Sequence, residues 1–520
     1  MRKILKKTAM ISSLTFSSRM LGVIRDALIA MCFGTSFQSD AFFIAFRPFD
    51  LLRKLLSEGI LSVSFVPVFS KALENEGLSK AVIMVFSFFC FISLAGIFIV
   101  LTGIFCAPLI IKVIAPGFIG DSYTSGLTMI LFKIMLPYFW LVLVAALCMG
   151  VLNSLGHFGA PAVAPVVFNL VLIVFAIFFS NYLKIPVIGL AAGVTIGGAV
   201  QLAIQIPFMI RLGMFKIPLF QFPRLLSVCF FHIGLLKVMK IMVPCMVGAA
   251  SYQINIMVAS FFASKLEEGS VSFIYYADRL VQFPLALFAV SFSMVFLPEL
   301  SKKAVLGHLD EIADLFSNGV KLVLFITIPA MAGLMALDEK IVALLFGHGA
   351  FKGIAIQQTA DCLFFLVSGL WAFTGIRLFV TLHYALSSIR IPFYSGILGI
   401  VLNLIFCCLF VDSLGLKGLA LSVSISGMAG FVFLLINMPG ALNIDKSGII
   451  VSACRSVFLS VIMFFLVRQA SAFILKEEWN RFWFGTGVMG CICFGMIFYF
   501  SVNVFISTPE LKMLKKGMTK

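Results

Sequence analysis

The stretch Ser39–Lys71, SDAFFIAFRPFDLLRKLLSEGILSVSFVPVFSK, decides how the rest of the chain is read. It is apolar and long enough to cross a bilayer, yet it carries six ionisable residues, Asp40, Arg47, Asp50, Arg53, Lys54 and Glu58. At about 100° per residue they fall within an arc of roughly 140°, and Phe and Leu fill most of the remaining surface. A charge at mid-membrane costs at least ~2.5–3.5 kcal/mol on insertion scales, so such a helix must turn its charged side toward protein or water. It reads as one wall of a polar cavity among membrane helices. The bland alternative is a helix whose charges neutralise one another against its neighbours, or one partly submerged at the surface.

Composition extends that reading to the whole chain. Hydrophobic residues make up 62% and charged residues 12%, with 59 Phe. Mean hydropathy is +1.14. Such values exceed those of soluble domains and imply an all-α polytopic membrane protein. The net charge of +16 does not imply nucleic acid, because the basic residues sit in short loops and at the termini, where the positive-inside rule expects them. The twelve cysteines lie mostly in apolar helices without a CxxC pair, which suggests neither a disulfide framework nor a zinc site. MRKILKK is basic like a signal n-region, but no small-residue cleavage site follows, so it reads as the start of a retained helix.

A crossing needs about 20 apolar residues. Fourteen stretches qualify, near 8–33, 39–69, 81–113, 124–154, 161–182, 185–210, 234–262, 270–298, 315–346, 355–386, 391–411, 416–438, 449–472 and 482–506. An even number places both termini on one side. Arg2, Lys3, Lys6 and Lys7 at one end, with Lys512, Lys515, Lys516 and Lys520 at the other, make that side cytoplasmic. The loops agree: Arg211, Lys216, Arg224 and Lys237 follow the sixth span, whereas Asp121, Glu267 and Glu268 fall on the outer side.

Features recur at a spacing of about 230 residues. Phe65-Val-Pro-Val-Phe-Ser-Lys71 returns as Phe296-Leu-Pro-Glu-Leu-Ser-Lys302, and GLAAGVTIGG from Gly189 returns as GLALSVSISG from Gly418. Two pseudo-symmetric six-helix lobes and two further C-terminal helices follow, the repeats being parallel as in transporters that bind substrate between their halves. The boundaries expected are 1–213 for the N-terminal lobe, 214–236 for a cytoplasmic linker, 237–440 for the C-terminal lobe and 441–520 for the accessory helices and basic tail. The last pair either guides a lipid or packs on the bundle.

The remaining intramembrane charges are Arg19, Arg25 and Asp26 in the first span, Lys133 in the fourth, Asp278 and Arg279 in the eighth, and Asp361, Arg377 and His383 in the tenth. Arg19 and Asp26, seven apart, share a face, and Arg25 points about 120° away. Arginine holds phosphate or carboxylate bidentately and stays protonated where water is scarce, so three or four converging on one cavity suit a pyrophosphate or other multivalent anion. Arg19 with Asp26, or Asp278 with Arg279, reads equally well as a structural ion pair. Pro48 is expected to kink the second span, and Trp479 and Trp483 to anchor the outer end of the last. The chain lacks HExxH, GxSxG and GxxxxGK[ST] motifs, so no enzyme is indicated and no cofactor is called for.

Several segments carry a family resemblance: SSRMLGVIRDALIAMCFG (17–34), the Ser39 stretch through Leu73, IAPGF (114–118), LTMILFKIMLPYF (127–139), GVLNSLGHFGAPAVAPVVFN (150–169) and YYADRLVQFPLALFAVSFSMVFLPELSK (275–302). Over essentially the whole chain they resemble the bacterial lipid II flippase family MurJ, also called MviN, of the multidrug, oligosaccharidyl-lipid and polysaccharide exporter superfamily. The resemblance implies fourteen helices, the last two forming a groove for a lipid tail. It implies alternating-access transport of undecaprenyl-pyrophosphate-linked disaccharide pentapeptide from the inner to the outer leaflet of the bacterial inner membrane, for cell-wall synthesis. Expected partners are lipid II, membrane lipids and the cell-wall synthesis machinery, and the expected state is a monomer.

Carried over by position, the family's substrate-binding arginines fall on Arg19, Arg25, Arg53 and Arg279, with acidic partners or gating residues at Asp26, Asp40, Glu58 and Asp278. Two positions depart from the pattern: Gln282 stands where many relatives have Glu, and Lys133 where Arg is frequent. The sodium site of some relatives maps to Ala259 and Cys407 in place of carboxylates, leaving Asn403 as a weak remnant, so no metal site is expected.

Overall fold

The computed structural model describes residues 2–56, 64–214, 233–386, 388–440, 442–475 and 480–518. Among them every regular element is helical. Composition explains this, because a backbone in lipid must satisfy its own hydrogen bonds, and a helix does so within one segment. Eight helices of the described residues are long and apolar enough to span a membrane, or nine if one bent pair counts as a single span. Their outward faces are apolar, as on Phe98, Phe105 and Leu109, or on Phe458, Phe465 and Phe473. This is the surface of a multi-pass membrane protein.

Two compact units divide the chain. The first comprises 1–253 with 267–272 and 349–351, and the second 254–266, 273–348 and 352–520. In the first unit α1 spans Arg2–Phe33, α2 Phe37–Leu55, α3 Val66–Ile114, α4 Ser122–Ser154, α5 Gly159–Tyr182 and α6 Pro186–Arg211. The helix α4 packs against α2, α3 and α6, and α5 packs on α1 and α6. α2 runs unbroken through Pro48, with most of its residues buried. The 49-residue α3 is two helices joined at Gly77, whose φ of 79° favours a residue without a Cβ.

The helix α7, Ile233–Ala263, is shared between the two units, and α8, Ser270–Pro284, starts in the first. The second unit continues through a π-helical turn at Leu285–Val290 into α9, Ser291–Val305. There follow α10 (Leu309–Ala336), α11 (Asp338–Phe346), α12 (Ile354–Val367), α13 (Leu370–Ala385), α14 (Arg390–Ile436), α15 (Lys446–Ile474), α16 (Arg481–Phe505) and α17 (Pro509–Met518). α14 is again two helices, joined at Gly415. Gly307, between α9 and α10, has φ 73° and lies 230 residues after Gly77, so the sequence repeat returns in the backbone turns.

One core of the second unit gathers Ile312, Phe316, Val320, Phe379, Leu382 and Leu434. Another joins Phe325 and Ala332 of α10 to Leu459, Met463 and Val467 of α15 and Cys491 and Tyr499 of α16. The Tyr499 hydroxyl donates to the Phe325 carbonyl at 3.0 Å. The last long pair of helices therefore packs on α10. Beyond it, the buried Glu510 of α17 accepts hydrogen bonds from Ser452 and Arg455 of α15.

Candidate functional site

The charged face of α2 is organised by Asp50. Its carboxylate accepts from Arg53 Nη2 at 2.6 Å through Oδ1 and lies 3.2 Å from Lys54 Nζ through Oδ2. Spacings of three and four residues bring these groups together on one helix side. Lys54 also donates to Gln253 Oε1 at 3.0 Å. The Arg53 guanidinium lies 5.7 Å from the centre of the Phe168 ring, a cation–π arrangement. Arg53 keeps 22% of its side chain exposed while Asp50 keeps 4%, so the arginine is the accessible member of the pair.

A second buried pair stands on α1. Arg25 donates to Asp26 Oδ1 from Nε at 3.0 Å and Nη2 at 2.8 Å, and to Asn169 Oδ1 from Nη1 at 2.9 Å. Asn169, on α5, in turn donates to the Ser18 carbonyl. The helical-wheel reading turned Arg25 away from the face that carries Asp26. The structure corrects it, because the long arginine stem folds its fork back across the angle between neighbouring residues. Arg19 is half-buried on the same helix.

Asp40 sits apart from these pairs. Its oxygens accept from the Gly269 amide at 2.7 Å, the Ser272 amide at 2.8 Å and the Ser272 hydroxyl at 2.5 Å, all within the first unit. It is thus a capping carboxylate for the 269–272 segment. Glu58 lies outside the described residues, as does Trp479, whereas Trp483 is exposed. Between residues 19 and 55, Arg19, Arg25, Arg47, Arg53 and Lys54 stand against Asp26, Asp40 and Asp50, a surplus of two positive charges.

In the second unit Arg279 donates to the Tyr275 hydroxyl at 2.7 Å and stacks 4.6 Å from that ring's centre. Asp278 is buried and accepts from Gln282 Nε2 at 3.3 Å, a bond that an ionised glutamate could not donate. Lys133 is exposed on α4, and Arg377 is half-buried. Asp361 pairs with Lys417 at 3.2 Å. His383 is buried, with neither ring nitrogen hydrogen-bonded among the described residues. Asn403 donates to the Asn255 carbonyl at 2.9 Å and accepts from Cys407, and Ala259, about one helical turn after Asn255, is fully buried. Among the described residues no group of three or more His, Cys, Asp or Glu is placed to hold a metal.

The sequence marks the cations but not their supports, Asn169, Gln253, Phe168 and Tyr275. The i+4 spacing of Tyr275 and Arg279 was a signal within reach. The other three are distant in sequence and gave none.

A family model described as lipid II flippase MurJ matches residues 29–490. The probable lipid II flippase MurJ of Buchnera aphidicola subsp. Acyrthosiphon pisum is 33% identical over 502 residues, covering 94% of this chain and 95% of that one. Its counterpart from Vibrio cholerae is 30% identical over 523 residues, covering 99% and 98%. A solved lipid II flippase MurJ in an inward closed conformation aligns with TM-score 0.76 at 27% identity, over 96% of this chain and 99% of that one. An inward-facing MATE-family multidrug transporter of the MOP superfamily aligns with TM-score 0.65 at 14% identity, over 87% of this chain and 96% of that one, a likeness of fold.

Proposed function

We propose, because this chain belongs to the lipid II flippase MurJ family, that it moves lipid II from the inner to the outer leaflet of the bacterial inner membrane by alternating access. The observation that carries the reading is the Asp50–Arg53–Lys54 cluster beside the Arg25–Asp26 pair, on helices of an otherwise apolar bundle. These guanidinium groups are held by carboxylates in a form that a pyrophosphate can take over, since it offers more charge and more acceptor oxygens than the carboxylate it displaces.

In this mechanism Arg19, Arg25 and Arg53 take the pyrophosphate, Arg279 is the fourth arginine, and the polyprenyl tail stays in lipid beside α15 and α16. Binding drives a conformational change only through unequal affinity for the two states. Net negative charge moving outward across an inside-negative potential gains ~2.3 kcal/mol per charge per 100 mV, which biases release outward. Both termini are cytoplasmic, the protein acts as a monomer, and the cell-wall synthesis machinery receives its product. The neutral set of Ala259, Asn403 and Cys407 supports transport without sodium coupling.

The test is replacement of Arg53 or Arg279 by Ala in cells depleted of their native flippase, with membrane levels confirmed and outer-leaflet lipid II measured. Loss of outer-leaflet lipid II is expected, and undiminished flipping would overturn the arginine site.

A further inference from the structure

α17 sits at one end of the α15–α16 pair. Glu510, five residues past α16, accepts from Ser452 and Arg455 in the first turns of α15, and α17 also packs on α10. Ser507, in the left-handed region at φ 55°, turns the chain out of α16 into it. The lipid-facing surface reaches the same level, since Ile450 and Val451 of α15 and Phe505 and Ile506 at the end of α16 are exposed. α17 therefore lies at the edge where apolar surface gives way to polar. The acids at this end are engaged within the protein: Glu510 is buried against Arg455, and Asp445 takes Lys321 and the Gly448 amide. Lys446 and Lys512 are exposed. α17 also carries Lys515 and Lys516, with Glu510 its only acid. In helical register Lys512, Lys515 and Lys516 share one side, and Glu510, Leu511, Leu514 and Met518 the other.

We propose that α17 is an anionic-phospholipid-binding helix: the Glu510 latch seats it on α15 and α10, and its lysine side holds the phosphate-bearing headgroups of the leaflet at which α15 begins. An amphipathic helix with a basic side at the apolar–polar edge binds anionic headgroups by summed attraction. An exposed Glu510 would oppose the lysines and repel the same headgroups. Buried against Arg455, it adds no negative charge to that surface. Topology asks for cations at a membrane edge but not for a helix fixed there by a buried glutamate. The latch gives the charge a defined place, and lipid bound to it ties α10, α15 and α16 to the depth of one headgroup layer. The inference does not depend on what the protein transports.

The test is amide hydrogen exchange of residues 510–518 in the full-length protein, in nanodiscs of phosphatidylcholine alone and of phosphatidylcholine with phosphatidylglycerol. In wild type, phosphatidylglycerol is expected to slow exchange about fivefold or more, the factor a single lysine contributes at an anionic surface. High salt should shrink the slowing. Lys512→Gln, Lys515→Gln and Lys516→Gln together are expected to remove most of it, whereas Lys512→Arg, Lys515→Arg and Lys516→Arg together keep it. Glu510→Gln is expected to speed exchange of α17 in both kinds of disc, because its ion pair with Arg455 is lost. No slowing by phosphatidylglycerol, slowing that survives the Lys→Gln changes, or its loss on the Lys→Arg changes would each overturn lipid binding. Unchanged exchange in Glu510→Gln would overturn the latch. Equal slowing by soluble glycerol phosphate in phosphatidylcholine discs would assign the lysines to a free anion and overturn the lipid as occupant.

Discussion

Arg25 keeps its charge in an apolar bundle because three of its donors are engaged, two by Asp26 and one by Asn169. Removing either partner should be felt unequally. Asp26→Ala leaves a buried cation without its counter-ion and is expected to cost about 3–5 kcal/mol. Asn169→Ala removes one hydrogen bond to a charged group, a loss of about 1.5–3 kcal/mol. Thermal melting of the purified variants checks both, and equal melting temperatures for Asp26→Ala and wild type would contradict the pair. At this scale the sequence announced which residues are chemically active, since charges in an apolar helix stand out. It hid their partners. Asn169 is 144 positions from Arg25, and Asp50, which is not among the acidic residues carried over from the family, is the carboxylate that holds Arg53.

Among the elements, α2 was legible because its charges share one arc, yet the task of Asp40 was not. The wheel shows a carboxylate and not the amides of Gly269 and Ser272 that it caps. Asp40→Ala is expected to destabilise that turn by about 0.5–2 kcal/mol, the usual range for a lost cap. Limited proteolysis between 264 and 272 should then quicken, and an unchanged cleavage rate would argue against the cap. A second cap starts α15, where Asp445 accepts from Lys321 Nζ at 2.6 Å and the Gly448 amide at 2.9 Å. Chiefly the Lys321 hydrogen bond, then the Gly448 amide, lowers its carboxyl pKa to about 2. Because the folded value is below the ordinary carboxylate value of about 3.9, the cap's contribution is whole above that value and is lost as pH falls through about 2. Between pH 6 and pH 2 the melting temperature of Asp445→Asn should fall less than that of wild type, and equal falls would argue against the cap.

For the whole molecule, the succession of apolar runs and the repeat near 230 residues made the helical membrane class readable before any contact was known. Hydropathy needs no tertiary information, and the turns at Gly77 and Gly307 carry the same period. Less legible was the attachment of the last long helices. The core that gathers Leu459, Met463 and Tyr499 with Phe325 joins side chains far apart in sequence. Ion coupling also belongs to this scale. With Ala259 and Cys407 at the positions where some relatives carry sodium-binding carboxylates, transport by the reconstituted protein is expected to run at the same rate with and without a sodium gradient. Clear sodium dependence would refute that expectation.

The central claim, lipid II transport through buried arginines, is tested most directly in proteoliposomes loaded with lipid II on one leaflet. The transfer rate would be compared between wild type and Arg53→Ala at equal protein content. The account predicts transfer by the wild type and its loss in Arg53→Ala, whereas equal transfer by both, or none by the wild type, would contradict it.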